Sequence, residues 1–282
     1  MPRIHPSAIV DPQAQLADDV EVGPFAVIED NVKIGPGCRL ASHVVIRRHT
    51  TMGRGNHVDS FTVIGGLAQD HKADPADVSC VRIGDDNVFR EGVTISRGTG
   101  PGATTIVGNG TYWMTASHAG HNSAVEDGAI LVNGSALGGH SRLGRRAILS
   151  GNVMIHQFCW VGDMAMSQGN SGASMHIPPY TIFARGINWV VGLNVVGLRR
   201  APGFSDEDRR QIRDAYRLLY RAGLTPAKAL ECMETCTDWG APAAVFRDFI
   251  RRVVEAKKPF NRGIAPLLRT SRRALDRGDN VE

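Results

Sequence analysis

The sequence predicts a β-rich fold, a parallel β-helix of hexapeptide repeats closed by an α-helical C-terminal region. Three observations predict it: an apolar period of six residues, a composition rich in glycine and poor in aromatics, and a change to helical patterning near the C-terminus. Val10, Leu16, Val22, Ile28, Ile34, Leu40, Ile46, Met52, Val58 and Ile64 follow one another at six-residue intervals. A second run contains Val107, Trp113, Ala119, Val125, Leu131, Leu137, Leu143, Leu149, Ile155 and Val161. Such a period fits neither the 3.6-residue turn of a helix nor the alternation of a strand. It fits a solenoid in which each hexad supplies one short strand and one turn.

The elements follow in order. Three hexads close one triangular coil, so residues eighteen apart stack at the parallel-strand spacing of about 4.8 Å. The aliphatic position points inward, and a glycine often follows it, as at Gly23, Gly35, Gly53, Gly84, Gly108, Gly138, Gly144 and Gly162. Ile83, Phe89 and Ile95 keep the spacing in a shifted frame. That shift marks two interruptions, near 65–80 and 97–106, both polar and carrying Gly and Pro. Solenoid insertions are expelled to the surface, often on the binding face. The period dissolves after about residue 180. "FSDEDRRQIRDAYRLLYRAG" opens with a Ser205-x-x-Asp208 capping pattern and closes at Gly223. Helical patterns recur at about 225–236, 242–256 and 265–276. The expected domains are a β-helix over 1–190 and a helical region over 191–282.

Composition narrows the functional classes. Hydrophobic residues make up 42% of the 282, enough for a sizeable core, while aromatics reach only 6% against 32 glycines. Five cysteines (Cys38, Cys80, Cys159, Cys232, Cys236) without a CxxC pair read as reduced residues of a cytosolic protein. No signal peptide and no apolar run of membrane-spanning length is visible. Residues 1–198 hold 14 Lys and Arg against 16 Asp and Glu, whereas 199–282 hold 18 against 12. The basic C-terminal region favours an acidic partner or simply forms a solvated surface.

The stretch "ASHAGHNSAV" (116–125) gains a geometry from the eighteen-residue stack. Gly139 stacks on His121 with Gln157 beyond it, His140 stacks on Asn122, and Gly120 and Gly138 share a column with His156. His118, His121, His140 and His156 are thus expected to converge, off the inward column and interleaved with glycines. One reading is an imidazole base beside a glycine-cleared slot, with the Gly139 N–H available to a thioester oxyanion. A zinc site and a structural polar ladder are the other readings, although no acidic or cysteine ligand accompanies the cluster.

"SHVVI", "QDHK", "RGT", "IHQFCWVG", "IPPY" and "GLRRAPGFS" occur in the order and spacing found in UDP-N-acetylglucosamine O-acyltransferases, which catalyse the first step of lipid A synthesis. The resemblance covers essentially the whole chain. It implies a left-handed β-helix, a cytoplasmic homotrimer with sites between prisms, and no cofactor or metal. It also implies transfer of a 3-hydroxyacyl chain from acyl carrier protein to the 3-hydroxyl of a UDP-amino sugar, without nucleic acid or a membrane span. His121 falls at the family's general base and Gly139 at its oxyanion N–H. Asp70 and Lys72 match contacts to the sugar and phosphates, and His118, His140 and His156 match supporting positions. Gln157, Asn194 and Arg200 correspond to nucleotide contacts, and Met166 and Gly169 to the region that measures acyl length.

The departures from the family pattern are specific. Asn122 stands where the family usually has aspartate; an amide orients an imidazole but carries no charge for the imidazolium. Ser96 replaces a common histidine, Val196 a glutamate and Ala201 an arginine. They leave open a paralogue that acylates another acceptor, such as a 3-amino nucleotide sugar, or a non-catalytic trimer.

Overall fold

The computed structural model describes residues 1–184, 186–235 and 238–268. Among these residues, short strands form three sheets of eleven, nine and eight strands. Pairing is parallel at intervals of eighteen, as Val22 with Leu40, Ile28 with Ile46 and Ile34 with Met52 show. Each coil therefore sends one inward residue from each sheet into a three-sided prism.

The inward columns are fully buried through most of the prism, including Ile46, Val58, Ile64, Trp113, Leu131, Leu137, Leu143 and Leu149. Packing compensates within a coil: Trp113 fills the axis where the next inward residue is Ala119. The indole N–H, which an apolar axis would leave unsatisfied, donates to Thr111 Oγ1 at 2.8 Å.

Both interruptions restore the register after they pass. Val58 pairs with Phe89 and Phe89 with Trp113, so the inward columns continue on either side. The second interruption is shorter than 97–106. Thr104–Val107 is a strand paired along its whole length with Cys80–Ile83, as the β-branched run Thr104, Thr105, Ile106 favours. Gly65 and Gly66 likewise close the strand Val63–Gly66 before the first loop begins.

Thr181–Phe183 pairs antiparallel with Val190–Leu193, which carries the first sheet past residue 190. Among the described residues four helices follow: α1 (Val195–Arg200), α2 (Asp206–Tyr220), α3 (Pro226–Glu234) and α4 (Ala241–Val254). Ser205 and Asp208 form the reciprocal capping box at the start of α2. The turn after α2 reaches φ +72° at Gly223, a conformation glycine adopts without steric cost. Ile212, Leu219, Met233, Phe246 and Ile250 bury the shared face of α2, α3 and α4.

The helix expected over 265–276 is not formed in its described part, 265–268, and the remainder lies outside the described residues. Instead Ile264 and Leu267 make bridges to His176 and Val190. Pro266 disfavours helical backbone at the residue before it, and the Ala265 N–H is taken by the His176 carbonyl at 2.9 Å. No helix among the described residues is long and apolar enough to cross a membrane.

Candidate active site

Both loops leave the corner between the second and third sheets, one between Ile64 and Val81, the next between Ile95 and Thr104. The following coil turns this corner between Ala119 and Ala124, and there it carries His121. The loops are tied to each other: Arg97 Nη2 donates to the Pro75 carbonyl at 3.4 Å, and Gly102 N–H to the Val78 carbonyl at 2.8 Å.

His121 is 8% exposed. Its Nδ1 lies 2.8 Å from Asn122 Oδ1, and that oxygen also accepts the Thr99 backbone N–H at 2.9 Å. A backbone N–H only donates, so the amide atom it meets is the oxygen, and His121 Nδ1 must carry its hydrogen. Nε2 is then the free nitrogen of the neutral ring, the form required of a base. Asn122 itself occupies the left-handed turn position at φ +58°, which asparagine tolerates better than most residues, and its N–H donates to Thr105 Oγ1 at 2.9 Å.

Gly139 clears the space in front of Nε2. A Cβ built there would sit 2.4 Å from that nitrogen. At the corner between the third and first sheets, some matching N–H groups are taken by an aspartate of the next coil, as Asn109 by Asp127 at 2.8 Å and Arg145 by Asp163 at 3.1 Å. The next coil offers Gln157 at this place, and among the described residues the Gly139 N–H has no acceptor. A base nitrogen and a free N–H thus flank one slot, the two groups that acyl transfer needs.

The other expected residues divide between this corner and a distant one. His140 meets His121 edge-on at 5.2 Å between ring centroids and stacks on Phe158 at 5.0 Å. His118 bonds Thr94 Oγ1 through Nδ1 at 2.8 Å. Burial, reinforced by the neighbouring His121, pushes the pKa values of His118 and His140 below the ordinary imidazole value. Asp70, delivered by the first loop, places Oδ2 3.9 Å from His121 Nε2. The Lys72 backbone N–H, 3.0 Å from Asp70 Oδ1, and then His121 hold this carboxyl below the usual carboxylate range. The Lys72 side chain is exposed.

His156 is more exposed than the other three histidines, and its Nδ1 lies 3.1 Å from Arg262 Nη2 and 3.0 Å from the Gln157 carbonyl. Gln157 is exposed as well. Asn194 caps α1, accepting the Gly197 N–H and donating to the Met164 carbonyl, and Arg200 is exposed in the last turn of that helix. Met166 and Gly169 line a cavity of about 920 Å³ against the first sheet, shared with Ile182, Val191 and Leu268. Ser96 is buried at the end of its strand, Val196 is exposed and Ala201 ends α1.

Sequence reasoning missed Thr99, Phe158 and Phe260, the last of which meets the His140 and Phe158 rings edge-on. Phe158 had a signal, since it stacks eighteen residues from His140. Thr99 and Phe260 lie outside the repeat and had none. Among the described residues, no group of three or more His, Cys, Asp and Glu side chains is placed to hold a metal ion.

Comparison with known proteins adds three findings. Residues 177–265 match the family model described as UDP N-acetylglucosamine O-acyltransferase, domain 2, and residues 14–48 the bacterial transferase hexapeptide model. The acyl-[acyl-carrier-protein]–UDP-N-acetylglucosamine O-acyltransferase of Stutzerimonas stutzeri is 40% identical over 255 residues, 89% of this chain and 97% of that protein. The protein of the same name from Stenotrophomonas maltophilia is 37% identical over 93% of this chain and 98% of its own length. Among solved structures, the UDP-N-acetylglucosamine acyltransferase of Bacteroides fragilis superposes with a TM-score of 0.84 at 36% identity, covering 93% of this chain and 99% of that one. The Francisella novicida enzyme gives 0.85 at 32% identity, covering 99% and 100%. The shared architecture is a left-handed β-helix with a helical C-terminal region.

Proposed function

The chain belongs to the UDP-N-acetylglucosamine O-acyltransferases, the enzymes of the first step of lipid A synthesis, and from this premise we propose that His121 is its general base and Gly139 its oxyanion donor. The observation that carries this reading is the double use of Asn122 Oδ1 by Thr99 N–H and His121 Nδ1, which leaves Nε2 unprotonated beside the slot at Gly139.

The substrates are a 3-hydroxyacyl thioester of acyl carrier protein and a UDP-amino sugar. The sugar 3-hydroxyl gives its proton to His121 Nε2 as its oxygen attacks the thioester carbonyl carbon. The oxyanion that forms accepts the Gly139 N–H. Collapse breaks the carbon–sulfur bond, and the carrier thiolate takes the proton back from His121. The ester and the free carrier thiol leave with no covalent enzyme intermediate. Cys159, the one cysteine near in sequence to His156, is fully buried, and burial raises its pKa, which disfavours the thiolate a nucleophile needs.

The enzyme works as a cytoplasmic homotrimer in this reading. His121 stands at the corner between the second and third sheets, whereas Asn194 is bonded to Met164 at the corner between the third and first. Met166 lies on the outer face of the first sheet. Gln157 shares the corner of the base, whereas Asn194, Arg200 and the acyl residues do not, which supports a neighbouring copy supplying them. Exposed Arg199 and Arg200 attract the acidic carrier protein.

Replacing His121 by Ala tests the base directly. The expected loss in kcat is about 10²–10⁴-fold, the usual worth of general base catalysis, with the circular dichroism of the wild type retained. A folded variant with wild-type turnover would falsify the assignment.

A further inference from the structure

Taking His121 as the general base, we infer that Asp70 is the carboxylate that stabilises its protonated form, a positioning residue that supplies from the first loop the charge that Asn122 lacks. Proton transfer to Nε2 turns a neutral ring into a cation inside a largely buried corner. The partner on the Nδ1 side is an amide oxygen already shared with Thr99. It orients the ring but adds no negative charge. The carboxylate paired with the ring is Asp70, 3.9 Å from Nε2.

That separation suits the task. It exceeds hydrogen-bonding distance, so Nε2 remains open to an acceptor hydroxyl. It also lies within the ~4–6 Å over which an opposite charge favours the charged form of a group. Asp70 is held in place independently of His121. Its Oδ1 accepts the Lys72 N–H at 3.0 Å, and its carbonyl accepts the Ala73 N–H at 2.9 Å. Only Oδ2 is left to face the ring. The first loop is tied at Pro75 and Val78 to the second, and the second holds Asn122 through Thr99. The two loops therefore bear on both ring nitrogens, the second indirectly through the neutral hydrogen bond of Asn122 and the first by the charge of Asp70.

The other titratable groups around the ring do not take this role. Burial, and then the charge of His121, lower the pKa values of His118, from the strand before it, and His140, from the next coil, which disfavours their charged forms. His71 and Lys72 flank Asp70 in the loop and lower the carboxyl's pKa further, keeping it ionised.

The test compares kcat/KM against pH for the full-length wild type, Asp70→Asn, Asp70→Glu, Asn122→Asp and the double variant Asp70→Asn/Asn122→Asp, using a 3-hydroxyacyl carrier-protein thioester and UDP-N-acetylglucosamine. Asparagine keeps the Oδ1 acceptor for Lys72 and removes only the charge. Without the carboxylate the imidazolium is less stable, so the acidic limb should move to lower pH by about one unit, a tenfold change in proton affinity, with a similar loss in plateau kcat. Glutamate should hold the limb near the wild-type position. In the double variant, the aspartate at 122 should return the limb and most of kcat. A rise in KM alone with an unmoved limb would show that Asp70 serves only substrate binding. Failure of Asn122→Asp to restore the limb would equally overturn the inference. The His121→Ala variant separates the two levels: if it keeps wild-type turnover, the base assignment itself falls, whatever Asp70→Asn does.

Discussion

Gly139 and His121 are packed so closely that a single added methyl group would lie 2.4 Å from the imidazole Nε2. No side chain rotation relieves this overlap, because the ring is held through Nδ1 by Asn122 at 2.8 Å. Gly139→Ala should therefore push the ring off Asn122 and fill the thioester slot together. An activity loss of at least about 10²-fold is expected, since displacement of a catalytic group by about 1 Å has that cost. Steady-state kinetics on the folded variant, with the thermal midpoint as control, checks it. Activity within a factor of two of wild type would show that the slot is not where the thioester binds.

A second expectation concerns pH and stability. His176 is fully buried, its Nδ1 accepting the Trp160 N–H at 3.0 Å and its Nε2–H donating to the Phe260 carbonyl at 2.7 Å. Burial, with Arg252 and Arg262 adding to it, pushes its pKa down to about 4 from the ordinary 6.5, against the opposing Phe260 bond. The unfolded chain thus binds more protons than the folded one between those values. Stability from this group is complete above about pH 6.5 and is lost as pH falls toward 4, by about 3 kcal/mol in all. Urea unfolding of wild type and His176→Gln at pH 7.5 and 4.5 measures it. The variant should be weaker at pH 7.5 and should lose less on acidification; equal losses in the two proteins would refute the assignment.

Assembly gives a third. If the nucleotide and acyl residues of one copy serve the base of another, the active species sediments at about three times the 30.4 kDa chain mass. Analytical ultracentrifugation across a wide concentration range decides this. A fully active 30.4 kDa monomer would contradict it.

How much of this was readable in the sequence depended on whether a residue sat within the repeat. Gly139 could be set beside His121 from the number eighteen alone, because parallel pairing holds that register through the prism, as Ala119 with Leu137 shows. The neutral partner Asn122 was likewise visible. Asp70 was not placed against the ring by any such rule, since the first loop breaks the register that stacking arithmetic needs. Arithmetic likewise did not give the partner of His156. Stacking fixes the height of a residue on the prism but not where its side chain turns, and there Arg262, 106 residues away in sequence, provides a partner. Over 265–268 the last helical pattern gives way for a related reason: its periodicity was outweighed by edge hydrogen bonds to His176 and Val190 that the local sequence does not encode.

The eighteen-residue pairing also bears on how the chain acquires its shape during synthesis. Each new coil needs only the one laid down before it, so the prism can grow on the ribosome from the N-terminal end, like thread taken up on a bobbin. The two loops lengthen the reach to the preceding coil but do not change that direction. The corner holding His121 and Asn122 can be wound while everything beyond the next few coils is still being translated. The seal is different. His176 waits for Phe260, 84 residues later, and for the bridge to Ile264. Translation halted before that point would leave the His121 corner wound but the top open, with His176 lacking its Phe260 acceptor and Trp160 lacking the Phe260 ring that stacks on it. Chaperone protection would therefore matter most until Phe260 and Ile264 have been made.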